Sequence, residues 1–186
     1  MNDKNLTKLG PLAHLVGIWE GDKGVDIAPA DDRTKKQNLY REQIEFVPMD
    51  DVHNHEQHLV ALRYKTTIWP KGSQDPFHEE LGYWLWDAKR QEVLRCFLIP
   101  RGISIIAGGT VLPDATSYTL EATSGDCTHG ILANKFLDEE FKTVRYVCKI
   151  SCDGKTFSYE QTSTLKLKGS EEFFEHTDRN TLQKIT

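Results

Sequence analysis

Leu15-Val16-Gly17-Ile18-Trp19-Glu20-Gly21 is a short apolar run in which two glycines bracket one large aromatic. The pattern suits the first strand of a small antiparallel barrel. Glycine lets the backbone bend and neighbouring strands approach closely, and tryptophan fills one end of the interior. Such a strand should lead into further strands around a cavity, with function inside it.

The downstream sequence fits that expectation. Extended segments rich in β-branched and aromatic residues run over 40–47, 59–69, 77–86, 93–99, 103–107, 118–123, 144–151, 157–167 and 173–185. Turn signals separate them, among them Pro70-Lys71-Gly72-Ser73 and the hairpin sequence Cys152-Asp153-Gly154-Lys155. Residues 11–16 read as one helical turn leading into the first strand. Residues 28–38 are polar and read as a mobile loop, and 124–141 as irregular or partly helical. The predicted fold is all-β: a ten-stranded antiparallel up-and-down barrel, calycin- or lipocalin-like, with a short N-terminal helical turn and a single domain spanning 1–186.

Composition narrows the function classes. At 186 residues the chain carries 27% charged residues and a net charge of −5 without a basic stripe, which argues against a nucleic-acid partner. No apolar run approaches the ~20 residues of a membrane span. The polar N-terminus, Met1-Asn2-Asp3-Lys4-Asn5, lacks the apolar stretch of a signal peptide, so a cytoplasmic location is expected and the Asn5-Leu6-Thr7 acceptor triplet carries little weight. Cys96, Cys127, Cys148 and Cys152 form no Cys-x-x-Cys pair. On one strand, Cys148 and Cys152 would stand roughly 13 Å apart at ~3.3 Å per residue, too far for a disulfide.

Strand parity identifies the inward faces. In the segment from 157, Phe157, Tyr159, Gln161, Ser163, Leu165 and Leu167 share one side. In the last segment, Phe174, His176, Asp178, Asn180 and Leu182 share one, opposite a polar row. His176 is therefore predicted to face the interior, where an imidazole is either a metal or heme ligand or a buried side chain bonded to a neighbour such as Asp178 or Tyr159. His78 opens a strand that alternates little, so its facing is open. His53, His55 and His58 lie close in sequence, but a polar connecting loop offers no frame to converge them, and no stoichiometric metal is expected there. Cys127-Thr128-His129 is weaker still. No phosphate-binding loop, nucleophile elbow or paired-cysteine zinc motif is present.

Taken together, these residues resemble the nitrobindin-like heme-binding β-barrel family, in a bacterial branch, related in shape to fatty-acid-binding proteins. Gly17-Ile18-Trp19-Glu20-Gly21 is similar to the family's Gly-x-Trp-x-Gly-x-Gly opening, His78-x-Glu80-x-Gly82-Tyr83 to its His-x-Glu-x-Gly-aromatic strand, and Ile99-Pro100-Arg101-Gly102-Ile103 to its Pro-x-Gly turn. His176 lies where the family places its heme-ligating histidine. Four departures accompany the likeness. Lys23 replaces the third glycine, with Gly24 one place later; Ile99 precedes the turn; the His176–Leu182 segment is one residue longer; and the first loop is long.

The resemblance implies ferric heme b with His176 as proximal iron ligand and with His78, Trp19, Ile99 and Tyr159 around the cofactor. It also implies nitric-oxide chemistry or peroxynitrite isomerisation. The alternative is a carrier of a fatty acid or another small apolar ligand without heme, with Arg101 facing a carboxylate. A third reading is an enzyme using His78, Glu80 and Tyr159 for acid–base work. The expected partner is a small molecule in the cavity, with neither nucleic acid nor membrane, and a homodimer stays open.

Overall fold

The chain folds as a closed β-barrel in a computed structural model that describes residues 7–186. The polar N-terminus and the start of the Asn5-Leu6-Thr7 triplet fall outside the described residues. A 3-10 turn, Gly10–Leu15, leads into β1 (Gly17–Pro29), β2 (Lys35–Pro48), β3 (Val52–Asn54), β4 (Gln57–Pro70), β5 (His78–Asp87) and β6 (Glu92–Ile99). Then come β7 (Ile103–Thr110), β8 (Ser117–Ser124), β9 (Gly130–Ala133), helix α1 (Lys135–Glu140), β10 (Phe141–Cys152), β11 (Thr156–Leu167) and β12 (Phe173–Lys184). Pairing of β2 with β4 closes the barrel, and β3 stays outside it.

Eleven strands, rather than ten, therefore form the wall. The extra one is β9, which runs antiparallel to β7 and parallel to β8, so the up-and-down pattern breaks there. β7 and β8 pair in register only at Gly108 and Glu121, and β9 pairs with both beyond that point. The polar segment 28–38 is mostly paired backbone: Asp26 faces Asn38, Ala28 faces Lys36 and Pro29 faces Lys35, leaving a loop of only 30–34. A ladder of main-chain bonds needs no apolar side chains when both faces meet solvent.

The opening motif explains one of its own departures. Strand register shifts between Gly21 and Gly24 against β2, and between Glu20 and Val25 against β12. Here the extra residue is absorbed as a bulge. Gly24 then lies under the Tyr40 ring, where a Cβ would come within 2.2 Å of a ring carbon.

One end of the barrel is sealed. Leu9, Leu12 and Leu15 of the N-terminal turn, together with Trp19 and Trp86, are at most 2% exposed and join one apolar core. Trp19 donates its indole N–H to the Leu15 carbonyl at 2.6 Å, so its single polar atom is satisfied where it is buried. At the other end Arg33, Glu140 and Lys168 clasp three connections together: Arg33 Nη2 lies 2.8 Å from Glu140 Oε2, and Arg33 also donates to the Lys168 carbonyl at 2.6 Å. All four cysteines are free; Cys148 and Cys152 are buried, whereas Cys127 is exposed. Among the described residues no helix is long and apolar enough to cross a membrane.

Candidate ligand-binding site

A cavity of about 660 Å³ occupies the barrel towards its clasped end. That lies within the roughly 300–1,000 Å³ typical of small-molecule and cofactor sites. Ile99, Ile103 and Ile105 supply an aliphatic wall. Facing residues are polar: His176 and Asp178 from β12, His78 and Glu80 from β5, and Asp26 from β1. A second chamber of about 20 Å³, the size of one water, continues inward past Glu42, Tyr159 and Trp84. Trp84 Nε1 is buried there without a protein partner.

The five residues singled out from sequence fall into three groups. His176, His78 and Ile99 line the main cavity together. Tyr159 lies deeper, on the small chamber. Trp19 is packed into the sealed end at 0% exposure and borders neither space. Arg101 reaches the cavity's outer lip from an exposed turn.

His176 is held by a residue that lay outside every motif. Its Nε2 lies 2.8 Å from Asp26 Oδ1, and Asn38 donates to the other Asp26 oxygen at 2.8 Å. The Asp26–Asp178 register of β1 and β12 brings this carboxylate beside the imidazole. His78 is pushed towards the neutral form, first by burial. An inward imidazole in a cavity of this size, beside an aliphatic wall, is the donor type that an iron porphyrin takes, so the residues fit such a group in kind. Iron at Nε2 requires His176 to exchange Asp26 for the metal.

Below the cavity runs a polar network. Tyr40 donates to Asp178 in a short hydrogen bond, its hydroxyl lies 2.7 Å from that of Tyr159, and Tyr159 donates to Glu42 at 2.9 Å. Asn180 donates to the same Glu42 oxygen at 2.9 Å. Burial, with added repulsion from Asp178, pushes the Glu42 carboxyl up to about 8. Burial also raises Asp178, to about 6, against the opposing pull of bonds from Tyr40 and Gln161. Beside them Arg95 donates to Glu80, to Tyr64 at 3.1 Å and to Tyr146 at 2.7 Å. His78, Glu80 and Tyr159 all line the small chamber, but Glu80 is committed to Arg95 and Tyr64, and Tyr159 to Tyr40 and Glu42.

The raised Glu42 carboxyl has a signed consequence. The folded state holds its proton up to about pH 8, whereas an unfolded chain releases it near 4.3. Its contribution to stability is complete at low pH, is lost as pH rises to about 8, and changes no further above that. Asp178 acts in the same sense but over a lower window, ending near 6. Between pH 6 and 9, then, the melting temperature of the native chain should fall. Glu42→Gln, which keeps a carbonyl acceptor for Tyr159 and Asn180, should flatten that fall and exceed the native chain at pH 9. Parallel melting curves for the two proteins across this range would refute the assignment.

An eleven-stranded closed barrel with a cavity of this volume and lining defines a small-molecule-binding β-barrel. The THAP4-like, heme-binding β-barrel domain family matches residues 8–184, and the chain belongs to that family. The crystal structure of Rv2717c from M. tuberculosis is similar over 98% of this chain and 98% of its own, with a TM-score of 0.67 at 22% identity, a likeness of fold. No curated protein matches the sequence.

Proposed function

We propose that the cavity binds heme, with His176 as the protein ligand to iron, and that the barrel serves nitric-oxide or peroxynitrite chemistry. The observation that carries this reading is the pairing of an inward His176 with an aliphatic wall across a cavity of about 660 Å³ in a member of a heme-binding domain family. Heme, when bound, supplies a redox-active iron with one face available to a small diatomic or peroxide ligand.

The chain's own residues have separable tasks. Asp26 holds the His176 ring through Nε2, the same nitrogen that iron would take, so heme would bind in competition with this carboxylate. His78, which burial pushes towards its neutral form, in that form offers one donor and one acceptor to whatever lies over the cavity's polar side. Ile99, Ile103 and Ile105 exclude water from the opposite face. Burial of the acidic floor favours its neutral form and so lowers its charge next to an apolar guest.

A carrier of a small apolar acid is the second reading, favoured by Arg101 at the cavity's lip, where a carboxylate head would meet the guanidinium with its tail against the isoleucines. Titration of the purified chain with hemin separates the two. Stoichiometric uptake with a Soret band typical of histidine ligation supports heme. No uptake, with saturable binding of a fluorescent fatty acid that Arg101→Ala weakens, overturns it in favour of the carrier.

A further inference from the structure

The segment that reads as a polar connecting loop is a β-hairpin. β3 pairs with the start of β4, with Val52 opposite Leu59, His53 opposite His58 and Asn54 opposite Gln57. His55 takes the turn, at φ +48°. Directly opposed residues on an antiparallel pair hold their Cβ atoms about 4.5–5.5 Å apart on one face. The His53 and His58 rings accordingly stack, with centroids 4.3 Å apart and planes 12° from parallel. Asp51, two residues before His53, falls on the same face by strand parity. Strand pairing therefore brings two of the histidines together, and the third member of the group is Asp51 rather than His55.

From this geometry we propose a surface site for a divalent transition metal, built by Asp51, His53 and His58. The three candidate donor atoms all lie within 4.8 Å of one another, and His58 Nε2 is already 3.1 Å from Asp51 Oδ2. Zinc bonds of about 2.0–2.2 Å place neighbouring tetrahedral ligands roughly 3.4 Å apart, so contraction by side-chain rotation of solvent-exposed rings suffices. Two imidazoles and one carboxylate select zinc, copper or nickel over magnesium and calcium, and leave at least one position for water. A cation is already drawn to the same oxygen: Lys8 Nζ lies 3.3 Å from Asp51 Oδ2, and an arriving metal displaces it. The site lies on the β3–β4 hairpin outside the barrel and shares no residue with the cavity lining.

The test is calorimetric titration of the untagged, metal-free chain with zinc chloride, paired with electron paramagnetic resonance after adding one equivalent of copper(II). One zinc per chain is expected, with copper binding more tightly and its spectrum showing nitrogen coupling. His53→Gln and His58→Gln should each weaken zinc binding at least tenfold, and Asp51→Asn severalfold. Lys8→Met should tighten it by removing the competing ammonium. His55→Asn, which tolerates the turn's backbone, and His176→Leu, in the cavity, should leave it within twofold. No saturable stoichiometry, unchanged affinity in His53→Gln and His58→Gln, loss of binding in His176→Leu or copper without nitrogen coupling would each overturn the proposal.

Discussion

Arg95→Leu should destabilise the chain by about 3–5 kcal/mol, the loss seen when one partner is taken from a buried ion pair. Arg95 is 8% exposed and Glu80 4%, and the guanidinium is the hub of the interior network. Besides Glu80, it serves Tyr64, Tyr146 and Gln161, and it stands 4.6 Å from the centre of the Phe97 ring. Leucine fills part of the volume but leaves Glu80 buried without a counter-charge and two phenols short of a donor. The double variant Arg95→Leu/Glu80→Leu should recover at least half of the loss, because the penalty lies in the uncompensated carboxyl rather than in the absence of the pair. Arg95→Lys should fall between, since an ammonium cannot reproduce the planar fork that reaches several acceptors together. Urea unfolding midpoints measure all three. A loss under 1 kcal/mol in the single variant would show that the network is not a structural keystone.

His176→Leu carries the largest effect on the proposed ligand. Leucine preserves apolar volume and removes the imidazole that Asp26 now orients. If the native chain takes up hemin, the variant should bind it at least tenfold more weakly, with a Soret band moved away from the histidine-ligated position. Asp26→Asn frees the imidazole from its carboxylate partner and should leave the histidine signature in place. His78→Leu should also keep that signature and alter only the surroundings of the iron. An unchanged spectrum in His176→Leu would assign the iron bond to another residue.

Parity made much of the barrel legible. Phe157, Tyr159, Leu165 and Leu167 turn inward as alternation requires, and Trp19 between its glycines is fully buried. The same rule extends further than the motifs do. Arg95 shares parity with Val93 and Phe97, and Glu42 with Tyr40, Ile44 and Phe46, so a charged residue inside an apolar register was the available signal for the interior network. Asp26 gave no such signal, because its strand runs on into a polar hairpin whose pairing rests on main-chain bonds. β9 is illegible for a related reason: its four residues are placed by pairing with β7 and β8, a long-range feature with no local pattern. The histidine hairpin is hidden because neither His55 nor Glu56 marks a turn in the way Asn-Gly does.

Leu9, Leu12, Leu15 and Trp19 stopper one end of the barrel, so a guest that enters and leaves past the other end uses one path in both directions. Microscopic reversibility then couples the two rates. If the Arg33–Glu140–Lys168 clasp lies on that path, whatever height it adds to the barrier is added in both directions. Loosening it would then quicken loading and unloading by the same factor and leave the balance between full and empty barrels where the lining residues set it. Residence time and affinity would in this way be separate traits of one chain, the first set at the rim and the second by the cavity lining.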